Sequence, residues 1–371
     1  MLIYWIILLG LVLSSVYDVF SENTIRKARL YKLCLGVLVL FFGFRGFVGW
    51  DWYFYYPTFM ENSYTYEPGY MLFNNLTGLL YKNYHFFIFV NSLVDFIFIY
   101  FIFKRWSNYP ILTLLMFFGI QGIPMEIDLL RNLKSILLFL LSLQYIEHRK
   151  PIKFLLLNLV AISFHSSALV YLPMYFILPL KLNRKVILSF FILGNIYYLM
   201  DMKFLIKIIE QMGQIGKNYV SVIPNGFSNE FNIFYSERVV LFLLAFLYSR
   251  DRIIQNSLYI WVAIFLFTNE LSIASVRLGI LFVYSVWFIL SELPSITENK
   301  LVKSIFLGIA FFFAIFRFYN HISFSGVKIA YPYENILYEL EEETYESNLE
   351  KVIKARGKVD EGTGRELLLQ Y

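Results

Sequence analysis

Long apolar runs recur from the first residue of this chain into its last quarter, and most approach the length that a bilayer demands. A helix needs about 20 predominantly apolar residues to span the hydrocarbon core. Bounded by polar clusters, such runs fall near 1–19, 31–44, 84–103, 109–123, 129–146, 152–164 with 166–180, 186–201, 238–249, 257–271, 275–291 and 304–318. The chain has 371 residues, 58% hydrophobic and 16% charged, against about 45–50% and about 25% in a soluble domain. A soluble core of this size cannot hide that surface. The expected fold is an all-α integral membrane protein, a polytopic helical bundle of about 11–13 transmembrane segments with broken or re-entrant helices on one side. The first run lacks a preceding basic stretch and a following cleavage site, so it reads as a retained span rather than a signal peptide.

Basic residues sort the loops. Arg26 to Lys32, Lys104 and Arg105, Arg149 to Lys153, Lys181 to Lys185, Arg250 and Arg252, and Lys300 and Lys303 share one side if each run crosses once and 152–180 forms a broken hairpin. The positive-inside rule makes that side the cytoplasm and puts both chain ends outside. A hairpin is preferred to one bent span because the arms flanking Phe164-His165-Ser166-Ser167 are each short for a crossing. No repeat or Pro/Gly-rich linker divides the chain, so 1–335 reads as one membrane domain. Residues 336–371, acidic from Glu339 to Glu350 and then basic to Lys358, read as a charged extramembrane tail whose end is in part appended. The single cysteine, Cys34, excludes an intrachain disulfide or a cysteine metal cluster. Phosphate-loop, HExxH and GxSxG motifs are missing, and nothing points to nucleic acid.

This topology gathers the unusual polar residues at the outer side. After the second run come Arg45, Gly49-Trp50-Asp51-Trp52-Tyr53, Tyr55 and Glu67-Pro68-Gly69-Tyr70. An arginine, an acid and clustered aromatics suit an anionic head group with sugars stacked on rings, or equally an interfacial belt with a snorkelling Arg45. At the head of the next outer helix, Glu126, Asp128 and Arg131 are spaced so that Asp128 and Arg131 can pair on one face. His165 falls at the break of the hairpin, where helix dipoles are exposed, although a lone histidine is also a common structural residue. With Arg238, Arg277 and Arg317, five arginines gather at the leaflet that the positive-inside rule disfavours. That repeated cost points to a bound anion such as pyrophosphate.

Taken as a set, Arg45 to Asp51 with Tyr53 and Tyr55, Glu67-Pro68-Gly69-Tyr70, Arg131-Asn132, Phe164-His165-Ser166-Ser167-Ala168-Leu169 and Arg277 resemble the EpsG-like branch of the Wzy oligosaccharide repeat-unit polymerases across about residues 40–335. One departure is Asn132, where the family often carries Gln. The resemblance implies a bacterial cytoplasmic-membrane glycosyltransferase with its site facing outward and a fold shared with O-antigen ligases and related to GT-C enzymes. It implies that undecaprenyl-pyrophosphate-linked units, donor and acceptor, are joined into O-antigen, capsule or exopolysaccharide. Membrane lipid and a chain-length regulator are the further partners, and no metal or soluble cofactor is expected. Arg45, Arg131, Arg277, Arg238 and Arg317 would bind pyrophosphate; Trp50, Trp52, Tyr53, Tyr55 and Tyr70 would bind glycan. His165 is the first choice of base, with Asp51 and Glu67 in reserve. The competing readings are an O-antigen ligase, a metal-dependent GT-C enzyme using Asp51, Glu67, Glu126 or Asp128, and a flippase.

Overall fold

The protein is described by a computed structural model over residues 1–211, 213, 231–336 and 350. Among these residues no strand forms, apart from a single bridge between Arg45 and Asn335. The acidic run and end of the expected tail lie outside the described residues, except Glu350. The described residues divide into two compact units, Met1–Tyr175 with 290–336 and Glu350, and Phe176–Ile289.

The first unit holds α1 (Leu2–Phe20), α2 (Thr24–Gly43), α3 (Trp52–Glu61), α4 (Pro68–Leu80), α5 (Tyr84–Trp106), α6 (Pro110–Phe117), α7 (Ile123–Ile127), α8 (Leu130–Glu147) and α9 (Pro151–Phe164). A π-helical stretch, Phe118–Gly122, makes α6 and α7 continuous, and a 3-10 turn, Ser166–Tyr171, precedes α10 (Met174–Ile177). The second unit contributes α11 (Arg184–Leu199), α12 (Phe204–Glu210), α13 (Ile233–Tyr248), α14 (Arg252–Thr268) and α15 (Ser272–Phe282). The unit boundary falls on α16 (Tyr284–Glu292), after which α17 (Lys300–Ser323) and α18 (Ser325–Ala330) complete the first unit.

Several helices open on start signals that the sequence supplies directly. Asn23 accepts from the Arg26 amide at 2.9 Å, Asn183 from Lys185 at 2.8 Å, Asp251 from Ile254 at 2.9 Å and Asn299 from Leu301 at 3.0 Å. Pro110 and Pro151 occupy first turns, where a missing N–H costs nothing.

Four helices, Leu2–Phe20, Tyr84–Trp106, Pro110–Ile127 and Lys300–Ser323, are long and apolar enough to cross a membrane. Two bent pairs, Arg184–Leu199 with Phe204–Glu210 and Ala274–Phe282 with Tyr284–Ile296, bring the number up to six if each pair is one broken span. The chain is thus a multi-pass all-helical membrane protein. The difference from about 11–13 expected segments arises because several runs form short helices, such as Pro151–Phe164 and Arg252–Thr268, and because α2 carries its basic residues in its own first turns.

The hairpin forms at the predicted break. Helix α9 ends at Phe164, and His165 is extended at φ −154°. The returning arm brings Tyr175 to within 5.1 Å of the Phe154 ring and stacks Tyr171 on Phe139 at 3.7 Å. What the apolar runs did not foretell is the interior of the segment 44–83, which folds into α3 and α4, and an ion pair buried between spans. Lys134 of α8 meets Asp95 of α5 at 2.8 Å with both side chains almost wholly buried.

Candidate functional site

The segment 44–51 descends from the C-terminal end of α2 against the chain beyond α18. Gly46 and Gly49 donate to Glu334 and Ala330 at 2.8 and 2.7 Å, and Ile336 donates to Phe44 at 3.0 Å. Gly49 has φ +99°, and a Cβ there would run into Asp128 and Ile127. This close approach lets the Asp128 carboxylate accept from the amides of Trp50 at 2.6 Å and Asp51 at 3.1 Å, and from the hydroxyl of Tyr331. The pair anticipated between Asp128 and Arg131 is replaced by these bonds. Asp128 ties the break between α7 and α8 to two distant segments.

Arg131, in the first turn of α8, instead pairs with Glu67, 64 residues earlier, at 2.6 Å. Both are partly open, at 22% and 18% side-chain exposure. The guanidinium lies 4.1 Å from the centre of the Tyr66 ring, an energetically favourable cation–π position. Its Nε has no hydrogen-bond acceptor. A cation at a helix N-terminus sits at the positive end of the helix dipole, so an added anion would be favoured there twice over.

Glu67 also receives the Ser166 amide at 3.0 Å. Gly69 permits this approach, since a Cβ on it would collide with Ser163 at the end of α9. Burial pushes the Glu67 carboxyl up, but the amides of Ser166 and Glu67 itself and the Arg131 guanidinium outweigh it and hold the pKa below its usual value. In this arrangement Glu67 orients Arg131 and is occupied as an acceptor.

Across the break, the His165 Nδ1 accepts from the Ser167 amide at 3.2 Å and lies 2.6 Å from the Ser167 hydroxyl. That hydroxyl donates to Asn132 Oδ1 at 3.2 Å. The amide at position 132 therefore has a task, which is to hold Ser167 beside His165. Asp51 is half-buried, with its charge felt by Tyr55 and Tyr66. Tyr55 donates to the Asp128 carbonyl at 2.9 Å.

One end of the first unit thus brings together Glu67, Arg131, His165, Asp51 and Tyr55. Other candidates are placed differently. Arg45 is 2% exposed, with its two Nη atoms donating to the carbonyls of Phe42 at 2.5 Å and Glu126 at 2.7 Å. Trp50, Trp52, Tyr55 and Tyr70 are buried, so their faces serve the protein's own packing; Tyr53 keeps partial exposure. Arg317 is half-buried on α17. In the second unit, Arg238 pairs with Glu237 at 2.5 Å and stacks 4.2 Å from Trp261, while Arg277 on α15 is exposed. Among the described residues no group of three or more His, Cys, Asp or Glu converges as metal ligands would.

Two participants escaped the sequence reading. Tyr66 stands immediately before the Glu67 motif, and only the fold of the 62–67 loop sets its ring under Arg131. Ser167 stands in the string Phe164-His165-Ser166-Ser167 but gains its meaning from Asn132, 35 residues earlier.

The family model described as EpsG family matches residues 29–335. No curated protein and no solved structure matches the chain.

Proposed function

This chain belongs to the EpsG family, and we propose that it polymerises undecaprenyl-pyrophosphate-linked oligosaccharide repeat units at the outer face of the bacterial cytoplasmic membrane. The observation that carries the reading is Arg131, a partly open guanidinium at a helix N-terminus, stitched through Glu67 to the break that holds His165 and Ser167.

The chemistry is a displacement at the anomeric carbon of the donor. A hydroxyl oxygen of the acceptor sugar forms the new glycosidic bond as the bond from that carbon to the pyrophosphate oxygen breaks. Pyrophosphate leaves with its own electron pair, so it needs charge stabilisation rather than protonation, and Arg131 supplies that. The Ser167 hydroxyl turns from Asn132 Oδ1 to His165 Nδ1, and the acceptor proton passes to the Ser167 oxygen while the Ser167 proton passes to Nδ1. Asn132 Oδ1 then receives the Ser167 hydroxyl, which leaves the new imidazolium its own hydrogen bond to Ser167. Single displacement inverts the anomeric centre.

The test is Arg131→Lys in purified enzyme supplied with lipid-linked repeat units. A lysine keeps the charge but loses the planar fork and the stacked face, so polymer formation is expected to fall about 10²–10³-fold, the scale of losing one preorganised donor at a developing anion. Wild-type ladders from a well-folded Arg131→Lys protein would refute the assignment.

A further inference from the structure

Helix α4 is built inside out. Its buried positions are Tyr70, Asn74 and Thr77, whereas Leu72, Leu76, Leu79 and Leu80 are 59, 54, 83 and 77% exposed. A helix bordering water presents the opposite polarity. Of the inward polar groups, the Thr77 hydroxyl donates to the Phe73 carbonyl at 2.9 Å, whereas the Tyr70 hydroxyl and both amide atoms of Asn74 are buried without a hydrogen bond.

Both ends of α4 are fixed at the outer ends of other helices. At its start Glu67 accepts the Ser166 amide and Gly69 presses on Ser163, where α9 ends. At its finish only Tyr81, Lys82 and Asn83 separate Leu80 from α5, a helix long enough to span. Thirteen residues make about 20 Å of helix, short of the roughly 30 Å hydrocarbon core. Helix α4 therefore runs along the end of the unit rather than through the membrane. It packs on α5, whose Leu93, Ile97 and Phe101 are exposed as lipid-facing residues of a span are.

We infer that α4 is an interfacial helix whose leucine face is immersed at the headgroup–acyl boundary of the outer leaflet, setting the Glu67–Arg131 pair at headgroup depth. Lipid is the occupant because Leu72, Leu76, Leu79 and Leu80 form a continuous apolar face, bordered by the exposed Asn75, that adjoins a spanning helix. For the reaction proposed above, on which this consequence alone rests, a lipid-linked pyrophosphate meets Arg131 from the leaflet rather than from bulk water.

The experiment places a nitroxide at Leu72→Cys, Leu76→Cys or Leu79→Cys in a Cys34→Ala background of the full chain, reconstituted in phosphatidylcholine/phosphatidylglycerol vesicles. Power saturation with oxygen and with a water-soluble nickel chelate reports the surroundings. Leu9→Cys on α1 is the lipid reference and Ser63→Cys the aqueous one. High oxygen and low nickel access at all three α4 sites, as at position 9, is the expected result. Nickel access matching position 63 would overturn the inference, as would shielding from both reagents, which would mean that a second copy or another protein covers this face. The readout needs no turnover, so it stands or falls separately from the transferase reading.

Discussion

Arg45 and Arg131 occupy matching places in the sequence, each a cation at the end of an apolar helix, yet their surroundings are opposite. Arg45 follows the C-terminal end of α2, where the last helical carbonyls have no intrahelical donor. Its guanidinium is taken up by Phe42 O of that helix end and Glu126 O near the end of α7. Arg131 stands at the start of α8, where the backbone offers amides and no carbonyl, so its acceptors come from elsewhere: Glu67 on one side and, in the proposed reaction, pyrophosphate on another. Helix polarity thus decides which arginine is taken up by carbonyls at helix ends and which pairs with a carboxylate.

The contrast breaks most visibly at Arg45. Arg45→Ala removes two bonds from a charged donor to buried carbonyls, each contributing about 1.5–3 kcal/mol, so a loss of about 3 kcal/mol or more in stability is expected. The measurement is the recovery of monodisperse protein in detergent and its thermal midpoint. A variant of normal stability that lacked only activity would make Arg45 a second ligand-binding arginine and erase the distinction.

A smaller effect, confined to rate, is expected at the break. His165→Ala and Ser167→Ala should each slow chain growth by about 10²–10⁴-fold, the usual contribution of a positioned base, with little change in donor binding. If proton transfer runs through both groups, the double variant is scarcely slower than either single one. Multiplied losses, or a folded His165→Ala protein with wild-type rate, would detach His165 from the relay.

How much of this was visible beforehand follows from which forces are local. Membrane residence and the break at His165 were legible because run length acts over a few positions, whereas the start of α2 at Asn23 was hidden by the basic residues of its own first turns, which set the run's bound at 31. Arg131, Glu67 and His165 were legible as unusual residues at one leaflet. Their pairing was not: Arg131 had a closer candidate in Asp128, and only the passage of Gly49 against Asp128 takes that carboxylate away. The burial of Trp50 and Tyr70 was likewise hidden, because an aromatic belt and an aromatic core have the same composition. Lys134 and Asp95 lay within apolar runs, where their charges were overshadowed by the hydropathy around them.

The finest discrimination between the two arginines is with pH, since the acceptors of Arg45 are carbonyls that do not titrate whereas the partner of Arg131 does. Glu67 has a folded pKa below its usual value, against about 4.3 for a free glutamate. A depressed carboxylate pKa contributes stability that is fully present above the unfolded value and is lost as pH falls through the folded one. Thermal midpoints of wild type and Glu67→Gln, followed in detergent from pH 7 downward, should therefore differ by a constant amount at neutral pH and converge below about pH 4.3. The convergence should be only a few degrees at most, because the pair is partly open to solvent and exposed pairs are screened. In an Arg131→Gln background it should shrink but persist, since the Ser166 amide still favours the ionised form. A difference that did not change with pH would mean that Glu67 is not the titrating partner. A difference that grew on acidification would mean that the fold raises the Glu67 pKa rather than lowering it, contrary to its pairing with Arg131.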